Sequence, residues 1–353
     1  MNTSDILFEE MSGVDGSLGL MTLNRPQALN SLNHTMILAM HAQLQTWEKA
    51  NHIKAVVIRA VPGKAFCAGG DLRLIYSHKQ TNHPAATKFF YDEYQLNRFI
   101  FHYPKPYIAL LDGITMGGGV GISIHGSHRV VTEKLIFGMP ETTIGFFPDI
   151  GGTYFLPRLP HHLGYYLGLT GARLNSQDCV ALGIGTIQVK SEALPEIVEK
   201  LAQTSMRNEA HRVVSAVLED FKTFADQSNL MHQQKLIDQC FSLETMEEIL
   251  QKLEKGTDTF STDTLATLAK KSPTSLKVTL RALHLGSELD FDSCMRQEYR
   301  MTCRFLQSHD FIEGIRALII DKDQSPHWKP RRLQDVAVEQ VEDYFSPIAK
   351  ELL

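Results

Sequence analysis

The chain has 353 residues, enough to bury a substantial core in one large domain or two smaller ones. Its 43% hydrophobic and 21% charged residues are an ordinary globular balance, and a formal charge of −5 argues against a nucleic-acid-binding surface. No apolar run approaches the roughly 20 residues that a membrane-spanning helix needs, which argues against a membrane protein.

In chain order, the acidic start from Met1 to Glu10 lacks Arg and Lys, so it resembles neither a secretory signal nor a mitochondrial presequence; a leader already removed would leave no trace. Ile6–Met11 and Leu18–Leu23 flank Ser12-Gly-Val-Asp-Gly-Ser17 and predict a hairpin. Met36, Ile37, Met40, Leu44 and Trp47 recur at helical spacing, predicting a helix over 34–50. Ala55–Ala60 reads as a short buried strand that runs into the loop Pro62–Asp71. A helical stretch over 84–101 is stopped by Pro104-Lys-Pro106, since proline cannot continue the hydrogen-bond ladder. Tyr107–Leu111 is a strand, the glycines after Met116 open a short helix toward Gly126, and Arg129–Thr132 is another strand. The alternation predicts an α/β fold with crossover connections. From about 195 onward helical patterns dominate: Pro195–Ala202, Glu209–Phe224, Leu230–Phe241, Glu244–Glu254 and Ser275–Leu285. The expected division is a catalytic core over 1–200 and a helical region over 201–353 that packs on or covers it. No internal sequence repeat or low-complexity tract is present.

The candidate chemistry sits in two glycine turns and two acids. Gly117-Gly-Gly119 follows a strand and opens a helix, where unpaired N–H groups and the helix dipole favour a phosphate or a developing oxyanion; a tight turn needing glycine only for packing is the alternative. Ala68-Gly-Gly-Asp71 is a second such turn. Glu141 and Asp149 follow, eight residues apart. The cysteines, Cys67, Cys179, Cys240, Cys294 and Cys303, are odd in number and form no CxxC pair, so they read as reduced thiols in a cytoplasmic setting. Cys67 lies near the first glycine turn but has no assignable His or Asn partner, and reads as a small buried apolar residue. His125 and His128 have no third ligand, Asp321-Lys-Asp-Gln-Ser325 lacks the glycine and terminal glutamate of a calcium loop, and no metal is expected. There is no GxSxG elbow for a serine hydrolase.

Four motifs in order, Arg25-Pro26 with Ala28-Leu-Asn30, Lys64-Ala-Phe-Cys-Ala-Gly-Gly-Asp71, Gly113-Ile-Thr-Met-Gly-Gly-Gly119 and Pro140-Glu141 with Gly151-Gly152, resemble the crotonase superfamily of enoyl-CoA hydratases and isomerases. The resemblance implies a spiral core of ββα units and a substrate esterified to coenzyme A, with no separate cofactor. It also implies an oxyanion hole made by the N–H groups of Gly70 and Gly118, with Asp71 at the substrate. Arg25 and Lys64 are the candidate partners for coenzyme A phosphates, with surface solvation as their alternative. The run Lys329-Pro-Arg-Arg332 reads as a solvated face.

One position departs from the hydratases of that superfamily, which activate water with two glutamates. The second corresponds to Glu141, but the first would fall at Gly121. The combination with Asp149 resembles a subgroup, the 3-hydroxyisobutyryl-CoA hydrolases. So do Phe146-Phe-Pro-Asp-Ile-Gly-Gly152, Tyr154-Phe-Leu-Pro-Arg-Leu159, Asp310–Ala317, Asp321–Pro326 and Trp328-Lys-Pro330, which extend the likeness over nearly the whole chain. Glu93, in Tyr91-Asp-Glu-Tyr94, falls where the subgroup has a substrate-contacting acid. The resemblance therefore implies hydrolysis of a short 3-hydroxyacyl-CoA, foremost 3-hydroxyisobutyryl-CoA of valine breakdown, by Glu141 and Asp149. An enoyl-CoA hydratase or isomerase and a non-catalytic acyl-CoA-binding protein are the alternatives. Many superfamily members form homo-oligomers; the helical tail leaves that open for this chain.

Overall fold

The computed structural model describes residues 5–77, 84–223, 228 and 230–353, so Met1–Ser4 and the end of the 209–224 helix expectation at Phe224 lie outside it. The chain divides into two compact units: residues 1–70, 95–137 and 174–231 form the first, and residues 71–94, 138–173 and 232–353 the second. This differs from a single cut at residue 200, because segments from the predicted core belong with the C-terminal helices.

In the first unit β1 (Ile6–Ser12) and β2 (Ser17–Leu23) form the expected antiparallel hairpin, Ile6 opposite Leu23. β2 then pairs in parallel with β3 (Ile53–Ala60). The helix His34–Lys49 makes that crossover, its Met36, Ile37, Met40, Leu44 and Trp47 buried and its first turn capped by the Asn33 side chain on Met36 N–H at 2.9 Å. The sheet continues through β5 (Tyr107–Leu111), β7 (His128–Thr132) and β9 (Ile187–Val189), in the order β1-β2-β3-β5-β7-β9. β5 is buried along its whole length, which is why the sequence shows a continuous apolar run and not alternation. Leu18, Leu20, Val57, Leu110 and Val130 pack with Ile197, Val198, Leu201 and Val214 on the helices Leu194–Ala202 and Ala210–Glu219.

Three short strands, β4 (Ala65–Cys67), β6 (Ile114–Met116) and β8 (Ile136–Gly138), make a second sheet in the order β4-β6-β8. Each follows one long strand and precedes a helix or helical turn, so a ββα unit repeats along the chain although no sequence repeat marks it. Each also runs directly into a residue singled out above: β4 into Gly70, β6 into Gly118, β8 into Glu141.

The second unit is helical. Its backbones approach closely where glycines allow it: Gly286, on the helix Pro273–Glu288, lies against the Thr153 carbonyl, and Gly314, on the helix His309–Ile315, against the Ile144 backbone. Its core is aromatic. Phe146 stacks on Phe311 with centroids 4.4 Å apart and Phe147 on Phe305 at 5.5 Å, with Phe90 5.7 Å from Phe146. Phe146 and Phe147 lie between Glu141 and Asp149 in the chain, so the stretch that carries both acids is anchored in apolar surroundings.

Candidate active site

The first unit sets the two glycine turns side by side. β4 pairs in parallel with β6, Cys67 beside Thr115, so the loops leaving both strands start at neighbouring points. Gly69 has φ +118°, and a Cβ built on it would lie 3.9 Å from the Gly118 nitrogen. Gly117 takes φ 48° and ψ −125°, a conformation open to glycine, and starts the helical turn Gly118–Gly121. Gly118 is the first residue of that turn, so its N–H belongs to those without a partner inside a helix. On the other loop Leu32 N–H takes the Gly69 carbonyl at 2.8 Å. Gly121 is the last residue of its turn and buried, so the position of the missing acid is on the turn itself.

The second unit gathers the acids. Glu141 opens the 3-10 turn Glu141–Ile144 after Pro140, Asp149 follows the Phe146-Phe147 anchor, and Glu93 lies on the helix Pro84–Phe101. Their exposures are 7%, 5% and 2%. Glu141 Oε2 and Glu93 Oε1 are buried without a hydrogen-bond partner. Burial holds the Glu141 carboxyl well above the usual carboxylate range, the charge of Asp149 adds to this, and Lys271 opposes it. Burial, then Asp149, raises Glu93 in the same way. Asp149 is pushed up to about 7 by burial, against the pull of the Tyr94 hydroxyl, which donates to its Oδ2 at 2.7 Å. Asp149 thus raises both glutamates, as a like charge does for an acid already removed from water.

Sequence reasoning missed four members of this neighbourhood. Tyr94 binds Asp149 and also meets Thr302 Oγ1 at 2.7 Å. Glu298, fully buried, accepts from Gly151 N–H at 2.8 Å, Thr153 N–H at 2.9 Å and the Thr153 hydroxyl at 2.7 Å. Burial lowers the Lys271 ammonium to about 8 against the attraction of Glu141, and it donates to the Thr143 hydroxyl. The legible signal was an acid within the stripe Cys294, Glu298, Met301, Phe305, where the spacing of the helix Phe291–Phe305 calls for apolar side chains. Lys271 gave none, since Lys270-Lys271 before a helix cap reads as solvated surface.

The remaining expected residues have the following surroundings. Arg25 reaches the Ser31 carbonyl at 3.0 Å and Oγ at 3.2 Å, with Asp5 at 3.8 Å, and so braces its own loop. Lys64 is exposed and Asp71 half-buried. Cys67 is fully buried, with Gly119 packed so closely that an added Cβ would lie 2.8 Å from the Cys67 Cβ, in keeping with a packing role. His128 meets Ser127 and Ser215 and stacks on His211. Asp321 and Asp323 are held by Arg316, at 2.8 and 2.5 Å, which explains the calcium-like turn without a cation. Among the described residues no group of three His, Cys, Asp or Glu could hold a metal ion, and no helix is long and apolar enough to cross a membrane.

A spiral of ββα units with glycine turns and a buried carboxyl cluster defines a class: the chain belongs to the enoyl-CoA hydratase/isomerase family, which it matches over residues 18–345. Its fold is the crotonase-like α/β core with a helical C-terminal region that the sequence led us to expect. It is 44% identical to the mitochondrial 3-hydroxyisobutyryl-CoA hydrolase of Homo sapiens over 339 residues, 94% of this chain and 87% of that protein. It is 42% identical to the one of Danio rerio over 353 residues, 98% and 90% of the two chains. Two solved structures share the fold at TM-score 0.90. A carnitinyl-CoA dehydratase from Mycobacterium thermoresistibile is 37% identical, covering 99% of this chain and 98% of that one. An enoyl-CoA hydratase from Rhodobacter sphaeroides is 34% identical, covering 99% and 100%.

Proposed function

We propose that the chain is an acyl-CoA thioester hydrolase that cuts a short 3-hydroxyacyl-CoA, foremost 3-hydroxyisobutyryl-CoA, into 3-hydroxyisobutyrate and coenzyme A, a step of valine breakdown. One observation carries the reading: Glu141 is buried with Asp149 and Glu93, while position 121, where a hydratase would hold its other glutamate, is glycine. Similarity to the hydrolases over nearly the whole chain supports it.

In this reading the N–H groups of Gly70 and Gly118 hold the thioester oxygen as it gains negative charge, each donor contributing on the order of 10²–10³ in rate. Glu141 acts as a carboxylate by one of two routes. It attacks the carbonyl carbon and expels the thiolate, leaving a mixed anhydride that water opens; or it takes a proton from the attacking water and passes it to the leaving thiolate. Asp149 and Glu93 bind the 3-hydroxyl or orient the water, Asp71 contacts the substrate, and Arg25 and Lys64 meet the phosphates of coenzyme A. Both routes need Glu141 ionised, and its carboxyl is held above the usual range. Turnover therefore rises with pH through a limb set above the ordinary carboxylate region.

A thiol-release assay on a panel of acyl-CoA esters tests this. Free thiol appears fastest from 3-hydroxyisobutyryl-CoA, and Glu141→Gln lowers the rate by roughly 10²–10⁴-fold. An unchanged rate in that variant removes Glu141 from the mechanism. The second reading, a hydratase or isomerase, is favoured by the names of the two similar structures; loss of enoyl absorbance without thiol would establish it. For location, five free cysteines and relatives named mitochondrial both fit a reducing compartment, and cell fractionation separates matrix from cytosol.

A further inference from the structure

We infer that one face of the C-terminal helix Phe291–Phe305 is the positioning frame of Asp149: Thr302 fixes its carboxylate through Tyr94, and Glu298 fixes the backbone turn that follows it. The inference rests on the reading that Asp149 serves the thioester reaction.

Glu298 and Thr302 are four residues apart, hence one above the other on the same helix face. Tyr94 has a single hydroxyl hydrogen. Because it is donated to Asp149 Oδ2, the contact between Tyr94 Oη and Thr302 Oγ1 must be a donation from Thr302. The order is therefore Thr302 to Tyr94 to Asp149, all three buried. On the backbone side, Asp149 is followed by two residues in the left-handed region, Ile150 at φ 54° and Gly151 at φ 86°. For a branched residue such as Ile150 that conformation is strained, and it persists only where the surroundings enforce it. Glu298 supplies the enforcement: its Oε2 takes the Gly151 N–H, and its Oε1 takes the N–H and the hydroxyl of Thr153. These are first-turn donors of the helix Gly152–Phe155, capped here by a side chain 147 residues away from Gly151 in sequence. A purely structural helix would gain more from an apolar side chain at 298, since a buried acid is costly unless its bonds are needed.

The charged groups around Asp149 are Glu93, Glu141 and Glu298, with Lys271 acting on Glu141. The Tyr94 hydroxyl favours the ionised form of Asp149 against the effect of burial.

The test uses the full chain with Tyr94→Phe, Thr302→Val and Glu298→Gln, each checked for fold by circular dichroism. In Tyr94→Phe the protonated-carboxyl infrared band of Asp149, identified by its loss in Asp149→Asn, titrates at higher pH than in the unsubstituted protein. Thr302→Val shifts it in the same direction by less. Glu298→Gln, whose amide can accept but not replace both carboxylate oxygens, lowers kcat by about 100-fold with KM nearly unchanged. If the infrared titration is unmoved in both hydroxyl variants and Glu298→Gln keeps its kcat, the frame is refuted. Should Glu298→Gln fail to fold, the two hydroxyl variants decide alone. A protein that releases no thiol yet shows the infrared shifts would overturn the proposed activity and keep the frame. Glu141-dependent thiol release with three silent variants would do the reverse.

Discussion

Burial disfavours the charged form of an acid, and the second unit buries four whose carboxyls sit above their ordinary range: Glu93, Glu141, Asp149 and Glu298. Each is ionised in the unfolded chain at neutral pH, so each contributes stability that is complete below the unfolded pKa and is lost as pH rises through the folded one. Glu93 shows this without the complication of backbone donors. Glu93→Gln removes its titration, so the variant melts at the same temperature as the unsubstituted protein at pH 4 and higher at pH 8, by roughly 1–2 °C for each kcal/mol recovered in a chain of this length. The same change lowers thiol release if Glu93 contacts substrate, the familiar exchange of activity for stability. Calorimetry across that pH range checks it; equal melting temperatures throughout would show that Glu93 is not held neutral. Glu141, Asp149 and Glu93 could be picked from the sequence because their types and positions match a known pattern. Tyr94 and Glu298 could not, since their importance lies in contacts 55 and 147 residues away along the chain. A buried acid looks like a surface acid until its neighbours are known.

At the level of elements, glycine spacing decides how near two backbones come. Gly119 carries its turn onto β4, where a Cβ would fall on the Cys67 carbonyl and 2.8 Å from the Cys67 Cβ. Gly119→Ala must push the two apart, which displaces the neighbouring Gly118 N–H. It should cost about 1–3 kcal/mol, read by urea unfolding, and a larger share of kcat than of KM in thiol release. Gly63→Ala, with its nearest contact at 3.7 Å, should behave as the unsubstituted protein and serves as the control. A Gly119→Ala protein with full stability would mean that β4 yields freely. Long elements were readable in advance. The helix His34–Lys49 announced itself by five apolar residues on one face, and β5 by a closed run of five. β4 fell inside the stretch read as a loop, and β6 and β8 were not read as strands, because three residues are too few to show a period. Yet these short strands launch Gly70, Gly118 and Glu141.

For the molecule as a whole, the sequence marked where helices take over but not how the units divide. Composition changes near 195, whereas the second unit draws residues 71–94 and 138–173 from the earlier part of the chain. Contact, not composition, defines a unit, and Gly286 against Thr153 or Glu298 on Gly151 leaves no linear signal. Deleting residues 232–353 should therefore do more than strip an appendage. It removes Lys271, Glu298 and Thr302 and leaves Phe146 and Phe147 without Phe311 and Phe305. The expected product binds a hydrophobic dye, is cut rapidly by protease within 138–173, and releases no thiol; a compact, active fragment would contradict the division.

The same arrangement imposes an order of events on synthesis. About 150 residues separate Asp149 from Thr302. At ribosomal speed Asp149 waits roughly 8–30 s for the helix that will clamp its turn to be made. During that wait Phe146 and Phe147 have no aromatic partners from downstream and attract other chains. A holding chaperone that binds apolar stretches would find its target between Glu141 and Asp149, and on the proposed reading the protein becomes competent only once the helix Phe291–Phe305 has been made.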